Sequence, residues 1–162
     1  RMPTPHQSPS APASPQGEAF WFPGTTKHMQ ELDICSCMCV VMGRKTLESF
    51  PNAKPLPKRD NVVLTRSEDY SPEGVTVCHN VQEVLNYVKK YDSDDVFVIG
   101  GAQVYELFMP YCNRIYLTKF KASKPCDRYF ANLDENNEWK CVMTVPREYS
   151  GLEFEFTLYE RK

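Results

Sequence analysis

Residues 38–50 read MCVVMGRKTLESF. An apolar run rich in β-branched residues meets a single glycine, Gly43, and then Arg44, Lys45 and Thr46 open a stretch of helical character. A short apolar run bounded by a turn signal has the pattern of a strand buried on both faces. At its carboxyl end the glycine removes the Cβ that would obstruct a ligand. A helix N-terminus there presents free N–H groups, and two cations follow, so the stretch resembles a seat for phosphate. The same residues also fit a strand, a turn and a surface helix with ordinary basic side chains, because one glycine is weak evidence by itself.

Two further stretches repeat the pattern. VFVIGGAQVYELF (96–108) is a buried strand that ends in Gly100 and Gly101 and runs directly into a helix. The glycine pair allows a ligand to lie against the backbone, although a tight strand-to-helix turn would use it too. It is not the G-x-G-x-x-G dinucleotide fingerprint. NVVLTRSEDY (61–70) runs from strand into Thr65, Arg66 and Ser67, a base between two hydroxyls that suits a phosphomonoester. Open α/β sheets bind ligands at the carboxyl ends of their strands. Three such ends, at Gly43, Thr65 and Gly100, form a stronger signal together than any one alone.

Outward from these stretches, the pattern predicts strands at 38–42, 61–65, 75–78, 96–100 and 114–120, and helices at 44–50, 81–90 and 102–109. Asn80 and Glu83 form a capping-box-like start to the helix at 81–90, which carries Val81, Val84, Leu85 and Val88 on one face. Pro51 and Pro110 end the other two helices. WKCVMTV (139–145) and EFEFTLYE (153–160) alternate in polarity around EYSG, which predicts an antiparallel hairpin. The expected fold class is an α/β sandwich with a central, mostly parallel sheet, flanking helices and a C-terminal antiparallel hairpin. Residues 1–20 hold five of the thirteen prolines and show neither strand nor helix period, so a disordered or extended tail is expected there, with one domain over 21–162.

The chain has 162 residues, 41% of them hydrophobic and 25% charged, which suits one soluble domain with a sizeable core. A net charge of −2 gives no basis for a nucleic-acid surface or a polybasic membrane patch. No apolar run reaches the ~20 residues of a membrane span. Seven cysteines, an odd number, without a basic-then-apolar signal segment favour reduced thiols in a cytosol. Cys35, Cys37 and Cys39 alternate and would share a face on a strand, a spacing that suits neither a CxxC metal site nor a disulfide between neighbours. No metal is expected, and His6, His28 and His79 are expected at the surface or in loops.

VVMGRKTLESF, KPLPKRDNVVLTRSEDY, VFVIGGAQVYELFMPYCNRIYLTKF and the closing EFEFTLYERK resemble the bacterial type of dihydrofolate reductase, in order and with similar spacing over about residues 40–162. The resemblance implies a single-domain fold and NADPH-dependent reduction of 7,8-dihydrofolate to tetrahydrofolate, a step of tetrahydrofolate biosynthesis in one-carbon metabolism. It implies a cytoplasmic monomer that binds dihydrofolate and antifolates such as methotrexate or trimethoprim, without nucleic-acid or membrane partners. Gly43, Arg44, Lys45 and Thr46 match the family's site for the pyrophosphate and adenosine side of the cofactor. Leu64, Thr65, Arg66 and Ser67 match the segment that holds the 2′-phosphate. Gly100, Gly101, Ala102, Gln103, Val104 and Tyr105 match the glycine pair and helix beside the pyrophosphate and nicotinamide. On the substrate side, Ser49, Phe50 and Ile99 match the cleft lining, Leu56 the wall for the benzoyl ring, and Arg59 the arginine for the glutamate α-carboxylate. Thr118 matches the threonine that orients the acid and the pterin.

The first ~38 residues depart from the family. Neither its first strand nor its nicotinamide-covering loop is evident in 1–20. The family's W-x-x-P-x-D/E segment, whose carboxylate serves the pterin, reads WFPGTT here. Trp21 and Pro23 fit with one residue fewer between them, and the acid position falls on Thr25. Replacement of this segment by a shifted reading frame, a fusion scar or a misplaced start would account for it. The alternatives to an active reductase are a non-catalytic NADPH-binding relative, favoured by Thr25, and a pyrimidine-type reductase, which would not need Arg59.

Overall fold

The computed structural model describes residues 37–120 and 130–162, together with the backbone of two short strands, β1 (Ala13–Ser14) and β2 (Gly17–Glu18). The remaining elements in chain order are β3 (Cys39–Gly43), α1 (Arg44–Glu48), β4 (Asp60–Leu64), β5 (Thr76–Cys78), α2 (Val81–Val88), β6 (Val96–Gly100), α3 (Ala102–Phe108), β7 (Arg114–Phe120), β8 (Trp139–Tyr149) and β9 (Leu152–Arg161). Every strand and helix expected between residues 38 and 160 is present, with ends shifted by a few residues at most. Within the stretch expected to be disordered or extended, β1 and β2 pair antiparallel through two residues each. No helix among the described residues is long and apolar enough to cross a membrane.

The chain divides into two compact units, one whose described part is residues 37–108 and one that holds β1, β2 and the described residues from Met109 on. The first unit is a four-stranded sheet in the order β5-β4-β3-β6, parallel throughout. Its strands are nearly continuous apolar runs because both faces are covered, and Val40, Val41, Met42, Val62 and Val63 are all buried. On one face Val40, Met42 and Val63 pack with Cys37, Leu47 and Phe50, and Leu56, Tyr70, Val75, Phe97 and Ile99 close around them.

Helix α1 is shorter than the predicted 44–50. Phe50 precedes Pro51 and is pushed into the extended region (φ −71°, ψ 156°). Ser49 closes the helix before it, with its hydroxyl donating to the Thr46 carbonyl at 2.7 Å. Helix α2 has the predicted cap, Asn80 Oδ1 accepting from the Glu83 amide at 2.9 Å. Its far end is tied to the start of β4, where the Asp60 carboxylate accepts from the Tyr87 and Tyr91 hydroxyls and from Lys90.

The expectation that alternating cysteines share a face is not met for the described pair. Cys37 lies ahead of the first residue of β3 and joins the Val40–Met42 cluster, whereas Cys39, inside the strand next to Val40, points to the opposite face. Both side chains are buried, and burial raises the pKa of Cys39 to about 11. Cys35 lies outside the described residues.

In the second unit β9 lies between β7 and β8, antiparallel to both. The predicted hairpin is therefore joined by β7, which pairs along its whole length with β9. Tyr149 faces Leu152 across a two-residue connection, Ser150 and Gly151, both at positive φ (52° and 78°). That combination is the type I′ turn, whose twist matches the twist of paired strands. Leu117, Leu133, Trp139 and Tyr159 form the core of this unit. Arg161 stacks over Trp139 at 4.5 Å and donates to the carbonyls of Met109 (2.6 Å) and Cys112 (3.0 Å), which fixes the end of the chain.

Candidate functional site

The register of the parallel sheet brings the three glycine- and hydroxyl-bearing strand ends level. Gly43 pairs with Leu64, Leu64 with Cys78, and Met42 with Gly100. With about 4.8 Å between neighbouring strands, the ends of β4 and β6 stand roughly 10 Å apart, with that of β3 between them. The row is long enough for an extended ligand with phosphates at more than one position.

Glycine at position 100 is favoured by backbone conformation, and a Cβ at position 43 would be tight. A Cβ on Gly43 would lie 3.1 Å from Val104 Cγ2 and 3.9 Å from both the Gly100 carbonyl oxygen and the Gly101 nitrogen. The three glycines thus meet at one point. Gly100 has φ +121°, a conformation other residues rarely adopt, and a Cβ there would sit 3.3 Å from the Tyr105 hydroxyl. The Gly100–Gly101 peptide is cis. Val104 and Tyr105 pack against these glycines from α3, and the first-turn amides of Ala102, Gln103 and Val104 have no partner within α3. Val104 is buried and Gln103 exposed, while withdrawal of the Tyr105 hydroxyl from water raises its pKa to about 12, so it stays a neutral phenol.

The cations differ in availability. Arg44 is engaged through Nε, at 2.6 Å from Glu48 Oε1, and its guanidinium lies 4.6 Å from the centre of the Tyr70 ring. Lys45 is exposed and Thr46 half-buried. Arg66 is exposed beyond the end of β4 and has no ion pair among the described residues, while Thr65 Oγ1 accepts from the Ser67 amide at 3.2 Å. Glycines that a Cβ would crowd and an unpaired arginine between hydroxyls fit a phosphate-bearing dinucleotide.

Sequence reasoning missed His79. Expected as a surface residue, it is exposed, but it stands at the end of β5 with Nδ1 3.1 Å from the Thr65 carbonyl oxygen. A fourth strand end, that of β5, thereby contributes a nitrogen-bearing side chain next to Thr65. The signal was its position directly after VTVC, the strand adjoining β4.

Of the residues assigned to substrate, Phe50, Leu56 and Ile99 meet in the apolar cluster on one face of the sheet. Ile99 is the extra residue of a β-bulge, since Val98 pairs with Val41 and Gly100 with Met42. Bulges beside functional sites re-aim side chains. Ser49 is exposed at the end of α1. Arg59 lies at the rim, with Nη1 donating to Cys37 Sγ at 3.0 Å. Thr118 belongs to the second unit, half-buried in β7 opposite Phe156. Trp21 and Thr25 lie outside the described residues.

A parallel sheet with glycines and an exposed arginine at its carboxyl strand ends places the chain among α/β proteins whose ligands bind at that edge. The family model for dihydrofolate reductase matches residues 21–161. The chain belongs to the dihydrofolate reductase family. It is 39% identical over 132 residues to the dihydrofolate reductase of Bacillus subtilis (strain 168), a match covering 80% of this chain and 76% of that one. Identity to the Drosophila melanogaster dihydrofolate reductase is 33% over 156 residues, covering 90% and 85%. The fold is similar to a solved structure of the Enterococcus faecalis dihydrofolate reductase complexed with NADP(H) and RAB-propyl. The TM-score is 0.71 and the identity 32%, over 90% of this chain and 85% of that one. The family match begins at Trp21 and so takes in the WFPGTT segment that departs from the family's usual form.

Proposed function

We propose that this chain binds NADPH along the carboxyl ends of β4, β3 and β6 and reduces 7,8-dihydrofolate to 5,6,7,8-tetrahydrofolate. The observation that carries the reading is the level row of strand ends, with Gly43, Gly100 and Gly101 meeting along it and Arg66 at its side without an ion pair among the described residues. When bound, the cofactor supplies the hydride.

The chain's own groups bind and orient. Arg66, flanked by Thr65 and Ser67 and with His79 next to Thr65, holds the 2′-phosphate. Each charge-assisted contact there is worth about 1.5–3 kcal/mol, which NADH would forgo. The three glycines admit the diphosphate to the backbone, and Arg44, Lys45 and Thr46 take the adenosine side. For the diphosphate to gain the whole Arg44 fork, Glu48 must release it. Phe50, Leu56 and Ile99 keep water from the substrate's rings, Arg59 pairs with the tail carboxylate, and Thr118 orients the pterin by hydrogen bonding. Methotrexate and trimethoprim compete for the same cleft. A single copy of the chain, working in the cytoplasm, suffices for these roles.

Proton supply at N5 of the pterin is the weak point. Thr25 stands where the family has a carboxylate. A threonine can hydrogen-bond the pterin edge but carries no charge to raise proton affinity at N5. The proton then comes from solvent, without general-acid assistance of ~10²–10⁴-fold. Thr25 favours a second reading, an NADPH-binding relative without catalysis. Dihydrofolate-dependent loss of NADPH, measured beside NADPH binding alone, separates the two. Slow turnover supports the reductase, and binding without turnover supports the second reading. Failure to bind NADPH would overturn both.

A further inference from the structure

We infer that Asn61 is the positioning residue of the substrate-tail site: it holds the Leu56–Arg59 turn in the shape that presents both residues, and so sets the grip on a glutamate carboxylate. The inference rests on the proposed assignment of Leu56 and Arg59 to the benzoyl-glutamate end of the substrate.

Asn61 is the second residue of β4 and is 2% exposed. Its Oδ1 accepts from the Leu56 amide at 2.9 Å, and its Nδ2 donates to the carbonyls of Leu56 (2.9 Å) and Arg59 (3.0 Å). One buried side chain thus binds both ends of the turn that carries the two residues. The turn needs such a tie. Pro57 occupies its second position, and Lys58 its third at φ +60°, where glycine or asparagine is the usual choice. A lysine in that region is strained, and strain of this kind persists where the surroundings over-determine the backbone.

Arg59 inherits its placement from the same turn. Its Nε donates to the Pro57 carbonyl at 3.3 Å, while Nη1 reaches Cys37 Sγ at 3.0 Å. The guanidinium is therefore steadied by the turn on one side and by the buried cluster on the other. Asn61 touches neither the carboxylate nor the reacting atoms and acts through Leu56 and Arg59. An aspartate would keep the acceptor to the Leu56 amide and lose both donations. A serine would reach at most one of the three partners.

The test compares methotrexate, which carries a glutamate tail, with trimethoprim, which carries no carboxylate. Affinities are measured for the parent chain and for Asn61→Ser, Asn61→Asp, Arg59→Ala and the double variant Asn61→Ser/Arg59→Ala, with NADPH affinity as the control for folding. Asn61→Ser is expected to weaken methotrexate roughly tenfold, the loss of about one buried hydrogen bond, and trimethoprim less than about twofold. In the Arg59→Ala background the same change should add little to the methotrexate loss, because the two act as one unit. Equal losses for both drugs, or none for methotrexate, would overturn the inference. If Arg59→Ala itself leaves the methotrexate-to-trimethoprim ratio unchanged, the assignment of Arg59 fails, which is a separate result. Should Asn61→Ser lose NADPH binding through misfolding, Pro57→Gly loosens the same turn from its exposed side. It should also lower methotrexate selectively, and an unchanged ratio there would equally overturn the inference.

Discussion

Among the described residues Arg66 has no salt bridge to break before it meets an anion, whereas Arg44 shares its guanidinium with Glu48. The two arginines therefore differ in what a phosphate gains from them. Arg66→Ala should lower NADPH affinity by at least tenfold, about 1.5 kcal/mol, and leave NADH affinity almost unchanged, so the gap between the cofactors narrows. Titration with both cofactors checks this, and equal affinities in the parent chain would contradict the placement of Arg66. At this scale the sequence was legible wherever a residue announces itself through backbone chemistry. Gly43 and Gly100 stand at strand ends in the linear text, and so does the Thr65–Ser67 triplet. Asn61 and His79 were illegible because their contacts cross from one chain segment to another. Nothing in RDNVV says that an asparagine amide turns back onto a loop five residues behind it.

Element by element, legibility followed periodicity. The continuous apolar runs gave the parallel strands and the Asn80–Glu83 pair gave the start of α2. The bulge at Ile99 could not be read, because it arises from the register between β3 and β6 rather than from either strand alone. Two elements support predictions about stability. The Ser150–Gly151 turn requires positive φ at both residues, and nothing lies within 4 Å of a Cβ built on Gly151. The cost of Gly151→Ala is then purely backbone, roughly 1–2 kcal/mol, seen as a lower denaturation midpoint with NADPH binding retained. The second element is the tie between α2 and β4. Hydrogen bonds from Tyr91 and Tyr87, then Lys90, hold the Asp60 carboxyl below the usual carboxylate range. A depressed folded-state pKa stabilises above the unfolded value of about 3.9, and that contribution is lost as pH falls through the folded value. Asp60→Asn should therefore be less stable than the parent in urea at neutral pH, and the difference should shrink as pH falls through the depressed folded-state pKa.

For the molecule as a whole, the proposed cofactor row lies within the unit that holds β3 to β6, and the proposed acid position, Thr25, precedes that unit's described residues in sequence. Activity and cofactor binding should then come apart. Turnover of dihydrofolate is expected to fall ~10²–10⁴-fold below that of a member with the acid, and to climb as pH drops without a plateau near neutrality. Thr25→Asp should raise the rate and introduce a plateau, provided the pocket floor is complete. The pH–rate profiles of both chains check this. A normal rate with a titrating group in the parent would assign the role to another carboxylate, such as Glu18 or Glu31.

The pairing of Met42 with Gly100 joins residues on either side of β4, β5 and α2, whereas β8 and β9 meet through two residues. Closing a long segment costs more chain entropy than closing a short one, and distant pairings form slowly. The hairpin is thus the early, local piece, and the seat for the cofactor comes into being only when the parallel sheet is complete. A ligand that binds the finished sheet and not the open chain stabilises it by mass action, by about 2.7 kcal/mol at roughly a hundred times its Kd. With NADPH bound as proposed, the lifetime of this chain in a cell becomes a function of the supply of reduced cofactor, so that starvation for NADPH would deplete the protein as well as idle it.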